Sequence, residues 1–525
     1  MWSSWLQFIA ELVRFLLIRT YECVKYIYHQ GYRDGRKKLP PLKHKFLQYP
    51  ATELVQMIRD GQITSEALLS AIVERIREVE PYINAVVDQR FEDALKEARR
   101  VDQIIGSPGA NLQQLFKEKP LLGLPFTVKN CVAVTGLLAD IGNESRRGYR
   151  AEEDAITVQR MREAGAIPIA ITNVPEMCLW IETSNHLHGR TNNPFDLHRS
   201  CGGSSGGEAA MVSSCASVWG VGSDIGGSIR IPAAWCGIPG HKPTPGLVAR
   251  HGLLPHEGQP LKSTIGVLGP MARSVDDLVM MLRVLADDPT DFRFDEEVNL
   301  AELRYFFCDN DGATHVSCVD PESREQVHRV IEYLRSDFRI EATALPEAEK
   351  LADGGRYWFA YTQTKEFGEL KRAFRSDPSW QPLLELFKHA AGCSERTIYA
   401  IVLSMSDERV RSNPSEVRAA YKEFESYKRR IHDLLDEDGV LILPSNITTA
   451  PFHHGTLCSP MQYFGFAGLI NVLQLPSTVV PMGLSSKGIP LSVQIVAGPR
   501  HDRLTLAIAK RLENHFGGFI PPFAA

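Results

Sequence analysis

The first thirty residues have helical spacing, with polar residues confined to a narrow stripe. From Trp2 to Tyr28 the chain is dominated by Trp, Leu, Phe, Ile, Val and Tyr. Polar residues recur in steps of three and four, with one gap at Ile18, and these are Ser4, Gln7, Glu11, Arg14, Glu22, Lys25 and His29. Arg19 lies off the stripe. The pattern predicts a helix over residues 1–30 with a broad apolar face.

The broad apolar face of this helix predicts membrane association. Trp2, Trp5 and Tyr28 stand near its ends, as aromatic residues do at a membrane interface. Each charge near the middle of a spanning helix costs roughly 2.5–3.5 kcal/mol, so a spanning helix and an interfacial helix are both compatible with the sequence. A helix packed on a protein core is the further alternative. A cleaved signal peptide is disfavoured because no basic residue precedes the apolar run.

A basic linker, residues 31–48, follows the helix. Its cationic residues are Arg33, Arg36, Lys37, Lys38, Lys43 and Lys45. If the helix spans a membrane, this flank places the rest of the chain on the cytoplasmic side. A solvated linker fits either arrangement. No break comparable to Pro40-Pro41 follows, so residues 49–525 are predicted to form one large domain.

The rest of the chain alternates short apolar runs with amphipathic segments. Helices are predicted over 64–78, 90–105 and 154–164, and strands over 83–87, 121–128 and 167–172. Thr64-Ser-Glu is the expected opening of the first of these helices, and Asp154 is the expected cap of the last. This alternation predicts an α/β fold with a largely parallel or mixed sheet covered by helices. Residues 382–405 are rich in Leu, Ile and Phe, which fits a core helix or a second apolar surface.

Composition and charge narrow the possible partners. The chain has 525 residues, of which 44% are hydrophobic and 23% charged, as in ordinary globular proteins. A net charge of −5 gives no reason to expect nucleic acid as a partner. The 10 cysteines show no CxxC pair, so neither a zinc site nor a disulfide framework is indicated. We expect reduced, mostly buried thiols in an intracellular protein.

Two glycine-rich loops contain serines. The first, Gly202–Gly207, holds Ser204 and Ser205, and the second leads from Asp224 to Ser228. Because glycine lacks Cβ, backbone N–H groups in such loops can approach a small ligand closely. When the Ser228 hydroxyl attacks a carbonyl carbon, negative charge develops on the carbonyl oxygen. The backbone amides that would stabilise this charge are those of Ile225, Gly226, Gly227 and Ser228. A nucleotide-binding or purely structural turn is the alternative.

A serine nucleophile needs a base, and Lys129 is the candidate. It follows the apolar run Leu121–Val128, which would bury it at the inner end of a strand. Burial disfavours the ammonium form and allows an amine to accept a proton. An exposed lysine at a strand end is the structural alternative. Ser204 or Ser205 would carry the proton between base and nucleophile, and the spacing does not select between them.

The same serines also match the nucleophile elbow of α/β-hydrolases, because each lies in a Gly-x-Ser-x-Gly pattern. That fold requires an acid and a histidine later in the chain. The histidines that follow include His241, His315, His454 and His501, and none has a distinctive setting. The elbow also leaves Asp224 to Arg230 unexplained. The arrangement of two serines and a lysine is therefore preferred.

Together these motifs resemble the amidase signature family. The segments that match are Gly123–Lys129, Thr172–Pro175, Gly202–Glu208, Gly222–Pro232 and Gly237–Thr244, with weaker similarity from about Glu53 onward. The resemblance implies the amidase signature fold, a large twisted mixed β-sheet surrounded by α-helices. It also implies Lys129 as base, Ser204 as bridging serine and Ser228 as acylated nucleophile. The oxyanion hole would run from Ile225 to Ser228.

The resemblance implies one substrate contact, and the sequence differs from the commoner family pattern at two places. Cys178 falls where the family contributes a backbone contact near the substrate. Ala209 stands where glycine is frequent, and Val218-Trp219 is bulky before Gly220. These changes leave the three catalytic positions intact and alter only the expected shape of the nearby pocket. No metal or organic cofactor is implied.

The chain has an apolar helix before one full-length amidase domain. Within the family, this arrangement resembles that of the fatty-acid amide hydrolases, and it is most similar to their second type. This implies a membrane-associated serine hydrolase that cleaves primary fatty-acid amides or N-acylethanolamines to a fatty acid and an amine. Its expected partners are a lipid amide and a membrane, and a homodimer is compatible. The alternatives are an amidase acting on a small or tRNA-linked amide, and a catalytically silent membrane-bound binding protein.

Overall fold

The computed structural model describes residues 2–31, 39–254, 265–366 and 380–523. Four cations of the predicted basic linker lie outside the described residues, and they are Arg33, Arg36, Lys37 and Lys38. The side chains of Trp2, Ser4 and His29 also lie outside the described part. Of the remaining linker cations, Lys43 forms ion pairs with Glu74 at 2.6 Å and Glu78 at 2.7 Å.

The helices lie before, between and after the strands of one central sheet. They are α1 (Trp2–Gly31), α2 (Ala51–Arg59), α3 (Ser65–Ile83), α4 (Phe91–Ile105), α5 (Leu112–Glu118), α6 (Ile156–Glu163), α7 (Gly206–Ser213), α8 (Arg230–Cys236), α9 (Val275–Leu285), α10 (Pro321–Phe338), α11 (Gly354–Tyr361), α12 (Pro382–Ala390), α13 (Ile398–Arg411), α14 (Pro414–Leu435), α15 (Pro460–Val472) and α16 (Asp502–Phe516).

The strands form one 11-stranded mixed sheet and two small two-stranded sheets within the described residues. They are β1 (Val86–Gln89), β2 (Pro125–Lys129), β3 (Ile167–Thr172), β4 (Ser184–Asn185), β5 (Gly189–Arg190), β6 (Asn192–Asn193), β7 (Asp196–Ser200), β8 (Trp219–Asp224), β9 (Gly240–Lys242), β10 (Val267–Ala272), β11 (Arg304–Phe307), β12 (Thr343–Ala344), β13 (Gly439–Pro444), β14 (Ser477–Leu484) and β15 (Pro490–Ala497). The order in the large sheet is β1-β3-β2-β8-β10-β9-β14-β15-β13-β11-β12. The predicted α/β fold with a mixed sheet is confirmed.

Strands β3, β2 and β8 are neighbours and run parallel, which sets the position of the site. Lys129 pairs with Thr172 of β3, and Val128 pairs with Val221 of β8. Every residue of β2 is buried, as expected for a central parallel strand covered on both faces. The carboxyl ends of the three strands therefore meet at one edge, where ligands of such sheets commonly bind.

Most predicted elements are present, and the errors have local causes. Helix α3 begins at Ser65, within the predicted opening, and the hydroxyl of Thr64 accepts the Ala67 N–H at 3.0 Å. The helix continues through Ile83, so the strand predicted from that residue starts only at Val86. The strand predicted from Leu121 likewise begins later, at Pro125, because residues 121–123 form a turn.

Asp154 does not cap α6, and this prediction is wrong. The residue before α6 is Ala155, which makes no side-chain cap. Asp154 instead accepts the Thr135 N–H at 2.7 Å and pairs with Arg162 Nε at 2.9 Å. The carboxylate thus links a neighbouring loop to α6, and it does not accept N–H groups of the first turn of that helix.

The polar stripe of α1 faces the rest of the protein. Both carboxylate oxygens of Glu11 accept backbone N–H groups, from Thr314 at 3.1 Å, His315 at 2.8 Å and Val316 at 2.9 Å. Ile18, the gap in the stripe, is buried. The stripe therefore docks the helix onto the domain that follows it.

Farther along α1, three more polar side chains bind the domain. Arg19, off the stripe, donates to the carbonyl of Cys318 at 3.2 Å, and the Tyr21 hydroxyl donates to the carbonyl of His453. Glu22 accepts the Phe452 N–H at 3.1 Å. Contacts with the domain thus extend along α1 from its first half to its second.

The apolar face of α1 consequently points away from the protein. Its exposed side chains include Trp5, Leu6, Ile9, Val13, Leu16, Leu17, Val24 and Ile27. Leu6 is 65% exposed and Leu17 is 51% exposed, unusually high values for leucine. Among the described residues, no helix has the length and apolar character needed to cross a membrane.

The apolar stretch 382–405 folds into α12 and the first half of α13. On α12, Leu383, Leu384 and Phe387 are exposed, whereas Glu385 is buried. This helix therefore also presents apolar side chains outward. The predicted burial of most cysteines is confirmed, since Cys131, Cys201, Cys215, Cys236, Cys308 and Cys318 are buried.

Candidate active site

Lys129 and Ser204 meet at the carboxyl end of β2. The Lys129 side chain is fully buried, and its Nζ lies 2.7 Å from Ser204 Oγ. The same nitrogen donates to Ser223 Oγ at 2.9 Å and to the Ser223 carbonyl at 3.2 Å. Ser205 Oγ instead donates to the Ser223 carbonyl at 3.3 Å. The geometry thus places Ser204, of the two serines left open by the spacing, on the lysine.

Ser228 lies between β8 and α8, at the same edge of the sheet. The Ser205 N–H donates to the Ser228 carbonyl at 3.0 Å, which ties the two serine loops together. Ser228 also lines an apolar pocket. The three predicted catalytic residues are therefore brought to one place, with the lysine behind the serines and the pocket in front of Ser228.

The Gly227 amide is already engaged, which changes the predicted oxyanion hole. Its N–H donates to Asp224 Oδ1 at 2.8 Å, so it is not oriented toward a substrate in this structure. Gly227 has φ +106°, and a Cβ there would lie 2.3 Å from the Cβ of Ala467. The amides of Ile225, Gly226 and Ser228 remain as the candidates, and glycine is required to keep the turn.

A buried ion pair supports this turn from below. Asp224 binds Arg230 through two contacts of 3.1 Å, and both side chains are buried. Asn471 completes the cluster, because its Nδ2 donates to Asp224 at 2.9 Å and its Oδ1 accepts from Arg230 at 2.6 Å. Burial alone would raise the pKa of Asp224, but the Arg230 guanidinium lowers it well below the usual range. Asp224 is therefore a permanent anion that fixes the turn.

A second carboxyl, Glu208 of α7, lies beneath Lys129. Its two oxygens hydrogen-bond to the hydroxyls of Thr127 and Thr172, each at 2.7 Å. Burial raises the pKa of Glu208 to about 8, so the neutral acid predominates at neutral pH. Lys129 therefore has hydroxyl and carbonyl partners, whereas Glu208 is held by two threonine hydroxyls.

The pocket before Ser228 is almost entirely apolar. It encloses about 70 Å³ and is lined by Cys178, Leu179, Trp180, Ile181, Ile225, Gly226, Ser228, Trp358, Phe359, Leu403, Pro460, Met461 and Phe464. Trp358 packs edge-to-face on Phe464 with ring centroids 5.2 Å apart, and its indole N–H donates to the Ile225 carbonyl at 2.9 Å. Cys178 is placed at the wall of this pocket, where burial raises the pKa of its thiol well above the ordinary value.

Sequence reasoning missed several residues of the site. Ser223 and Glu208 lie inside the segments that match the family. Their closeness in sequence to the candidate serines is the signal that could have identified them. Trp358, Leu403 and Phe464 come from α11, α13 and α15, which carry no motif. Only the three-dimensional structure brings these helices to Ser228.

The structure gives no support to the nucleophile-elbow interpretation. Its most deeply buried candidate histidine, His241, binds Asp502 at 3.1 Å and Thr478 at 2.8 Å. His454 binds the Tyr399 hydroxyl at 2.9 Å. The partner of Ser204 is Lys129 instead, at the end of β2.

Comparison with known proteins agrees with this geometry. The Amidase family profile matches residues 67–506, which is most of the chain. The chain belongs to the amidase family. It is therefore a hydrolase that acts on amides. In sequence it is 38% identical to fatty-acid amide hydrolase 2-A of Danio rerio, over 98% of this chain and 97% of that protein. It is 37% identical to fatty-acid amide hydrolase 2 of Homo sapiens, with 94% and 93% covered.

Other members of the family are more distant from this amidase. It is 29% identical to a glutamyl-tRNA(Gln) amidotransferase subunit of Syntrophus aciditrophicus (strain SB), over 88% of this chain and 96% of that one. Among solved structures, the 6-aminohexanoate cyclic dimer hydrolase complexed with substrate has a TM-score of 0.73 at 25% identity, covering 91% and 100%. A fatty acid amide hydrolase structure gives 0.67 at 22% identity, covering 96% and 90%.

Proposed function

We propose that this amidase cleaves fatty-acid amides, primary amides or N-acylethanolamines, to a free fatty acid and an amine, through Ser228, Ser204 and Lys129. The observation that carries the proposal is the contact between Lys129 and Ser204 beside an apolar pocket that opens on Ser228. Such a pocket suits an aliphatic acyl chain, and two relatives that align over more than nine-tenths of this chain, at 38% and 37% identity, are fatty-acid amide hydrolases.

In the acylation step, Lys129 in its neutral form accepts a proton from Ser204 Oγ, which accepts the proton of the Ser228 hydroxyl. Ser228 Oγ then attacks the amide carbonyl. The resulting oxyanion is stabilised by the candidate backbone amides of Ile225, Gly226 and Ser228, and a single such donor contributes about 3–4 kcal/mol in comparable sites. The proton returns through Ser204 to the leaving nitrogen, so the amine departs neutral and the fatty acyl group stays on Ser228.

Water completes the cycle by the same route in reverse. Lys129 and Ser204 remove a proton from a water molecule, which attacks the acyl-enzyme ester. The Ser228 hydroxyl re-forms with that proton and the fatty acid leaves. The carboxyl of Glu208 is held by the hydroxyls of Thr127 and Thr172, which leaves Ser204 and Ser223 as the hydroxyl partners of Lys129.

The lining of the pocket favours a fatty acyl group over a small polar amide. A site that discriminates for a glutamine side chain needs buried polar partners, because unpaired polar groups are costly to bury. Here the walls are supplied by aromatic and aliphatic side chains, among them Trp180, Trp358 and Leu403. A tRNA-linked or small-amide substrate therefore fits this pocket less well.

Membrane association is part of the proposal, with α1 lying in the interface. Its polar stripe is used in contacts with the domain, and its outward face carries Leu6 and Leu17. Helix α12 adds a second exposed apolar set that includes Phe387. A helix with one apolar face immersed in the headgroup region gains affinity in proportion to the buried apolar area. A lipid amide dissolved in the same membrane would be concentrated near the enzyme.

The chemistry is tested with a fluorophosphonate probe and a long-chain primary amide such as oleamide. Ser228→Ala should abolish both labelling and hydrolysis, and Lys129→Met should lower kcat at least a hundredfold. Lys242 provides a matched control, since it is equally buried but, within the part of the chain that the structure describes, donates to the Pro243 carbonyl and to no other group. Stoichiometric labelling of Ser228→Ala, or equal losses in Lys129→Met and Lys242→Met, would overturn the assignment. Absence of any acyl-enzyme by mass spectrometry would favour a silent binding protein.

Membrane association is tested by flotation with phosphatidylcholine vesicles. The double variant Leu6→Ser with Leu17→Ser should lower the membrane partition constant at least tenfold. The reason is that each leucine contributes about 1.5–3 kcal/mol when it is buried in the membrane. Ile104→Ser is the control, since Ile104 is 50% exposed on a different surface. Equal binding of the wild type and the double variant would contradict the interfacial placement of α1.

A further inference from the structure

One wall of the pocket is a short irregular segment, Cys178–Ile181, here called the wall segment. It begins in a turn in which Met177 and Cys178 both have φ +58°, a region that non-glycine residues rarely occupy. No strand of the sheet includes the segment. A backbone hydrogen bond from the Met177 N–H to the Ile141 carbonyl at 2.9 Å and side-chain contacts at its two ends hold it in position.

The first end is held by Glu176, a buried carboxylate. Arg396 Nη1 binds one carboxylate oxygen at 2.6 Å. The other oxygen accepts the Thr397 N–H at 3.0 Å and the Thr397 hydroxyl at 3.1 Å. Thr397 is the N-cap of α13, so this carboxylate fixes the start of the wall segment to the start of that helix.

The second end is held by Glu182, also a buried carboxylate. One oxygen accepts the His454 N–H at 2.9 Å. The other accepts the Thr456 N–H at 3.1 Å and the Thr456 hydroxyl at 2.6 Å. The segment around His454 is the one that contacts Tyr21 and Glu22 of α1 through the neighbouring residues 452 and 453.

Both ends converge on Trp180, the largest side chain of the wall segment. Its indole N–H donates to Thr456 Oγ1 at 3.0 Å, the hydroxyl that also binds Glu182. Its ring stacks on Tyr399 of α13 with centroids 5.2 Å apart and an interplanar angle of 24°. The Tyr399 hydroxyl hydrogen-bonds to His454. Helix α13, which Glu176 contacts, is therefore connected to the segment around His454, which Glu182 contacts.

We propose that Glu176 and Glu182 are positioning residues that hold the wall segment against the acyl chain, and that they set the preference of the enzyme for long acyl groups. The inference rests on the proposed function, because it assigns this pocket to the acyl group. Neither carboxylate touches the reacting atoms. Each acts through Trp180 and its neighbours, so loss of either one should weaken recognition of the distal chain and leave the chemistry at Ser228 unchanged.

The test compares two inhibitors that react with the same serine. Glu176→Gln and Glu182→Gln keep the side-chain volume but place an N–H₂ group against existing N–H donors. Inactivation by dodecyl fluorophosphonate should slow about tenfold, whereas inactivation by ethyl fluorophosphonate should change less than twofold. With oleamide the KM should rise while kcat stays within about twofold.

Asp277→Asn is the matched control. Asp277 is fully buried and also accepts two backbone N–H groups, from Ala51 and Thr52, each at 2.9 Å, but it contacts no pocket residue. Its variant should treat both probes alike. If the glutamine variants slow both probes equally, or neither, the positioning role is overturned.

Milder variants keep the test valid if a glutamine variant does not fold. Thr397→Val removes the hydroxyl contact to Glu176 and the cap on the Ala400 N–H, and Thr456→Val removes the hydroxyl contacts to Glu182 and to the Trp180 indole. Both changes keep the side-chain shape and should shift the probe ratio in the same direction by about threefold. The ratio of the two inactivation rates does not depend on the natural substrate. If the wild type hydrolyses no fatty-acid amide, the proposed function fails. The ratio of the rates then still shows whether Glu176 and Glu182 shape the pocket.

Discussion

Replacing Glu208 by glutamine should remove a pH dependence from the free energy of unfolding. In the folded protein, burial between Thr127 and Thr172 raises the pKa of this carboxyl to about 8. In the unfolded chain a glutamate titrates near about 4.3. Between these two values the unfolded state binds fewer protons than the folded state, so stability falls as pH rises.

The size of this effect follows from the two pKa values. One pH unit within the window costs about 1.4 kcal/mol, so the step from pH 5.5 to pH 7.5 costs roughly 2.7 kcal/mol. Glutamine has no proton to lose and can still hydrogen-bond to both hydroxyls. The difference in unfolding free energy between Glu208→Gln and wild type should therefore grow in favour of the variant by about that amount.

Urea denaturation monitored by tryptophan fluorescence at pH 5.5, 6.5 and 7.5 measures this difference. The other titrating groups are common to both proteins and cancel in the comparison. Glu53→Gln, a change at an exposed glutamate, serves as the control and should show no such trend. A difference between Glu208→Gln and wild type that stays constant across the three pH values would refute the reasoning, because it would mean that Glu208 is ionised throughout.

Three further predictions concern the turn that carries Ser228. Gly227→Ala should lower kcat/KM at least a hundredfold, since its Cβ would lie 2.3 Å from the methyl group of a neighbouring alanine; a variant retaining half of the activity would contradict this. Asp224→Asn should cost about 3–5 kcal/mol in urea denaturation, because it leaves the buried Arg230 charge unpaired, and a loss below about 1 kcal/mol would be inconsistent. Trp358→Phe removes the hydrogen bond to the Ile225 carbonyl, and steady-state kinetics should show kcat lowered severalfold with KM nearly unchanged; a change in KM alone would argue against its support of the turn.

The sequence predicted those parts of the fold that depend on local pattern. Helices α3 and α4 and strand β3 follow from apolar periodicity and from the opening at Thr64. The prediction for Asp154 was wrong because a carboxylate near a helix start can bind a loop N–H instead, and only the fold decides which donor is closer. Periodicity also predicted the stripe of α1, but not that the stripe would face the protein.

For the site, the motifs predicted the residue types and the fold supplied their partners. The contact of Lys129 with Ser204 needs β2 and the loop before α7 to meet, which no local pattern specifies. The hydrogen bond of Gly227 with Asp224 could not be predicted from the glycines, since it depends on how the turn closes. The aromatic walls come from helices far apart in the chain, so their joint role had no signature in the sequence.

The docking of α1 through Glu11 has an evolutionary consequence. One carboxylate is held by three main-chain N–H groups, at residues 314–316, which every amino acid except proline possesses. The Glu11 contact therefore does not depend on the side chains of the receiving loop, although Thr314 also binds Gln7 and His315 packs on Phe8. In related chains, proline should therefore be excluded from these three loop positions and replacement of Glu11 should be rare.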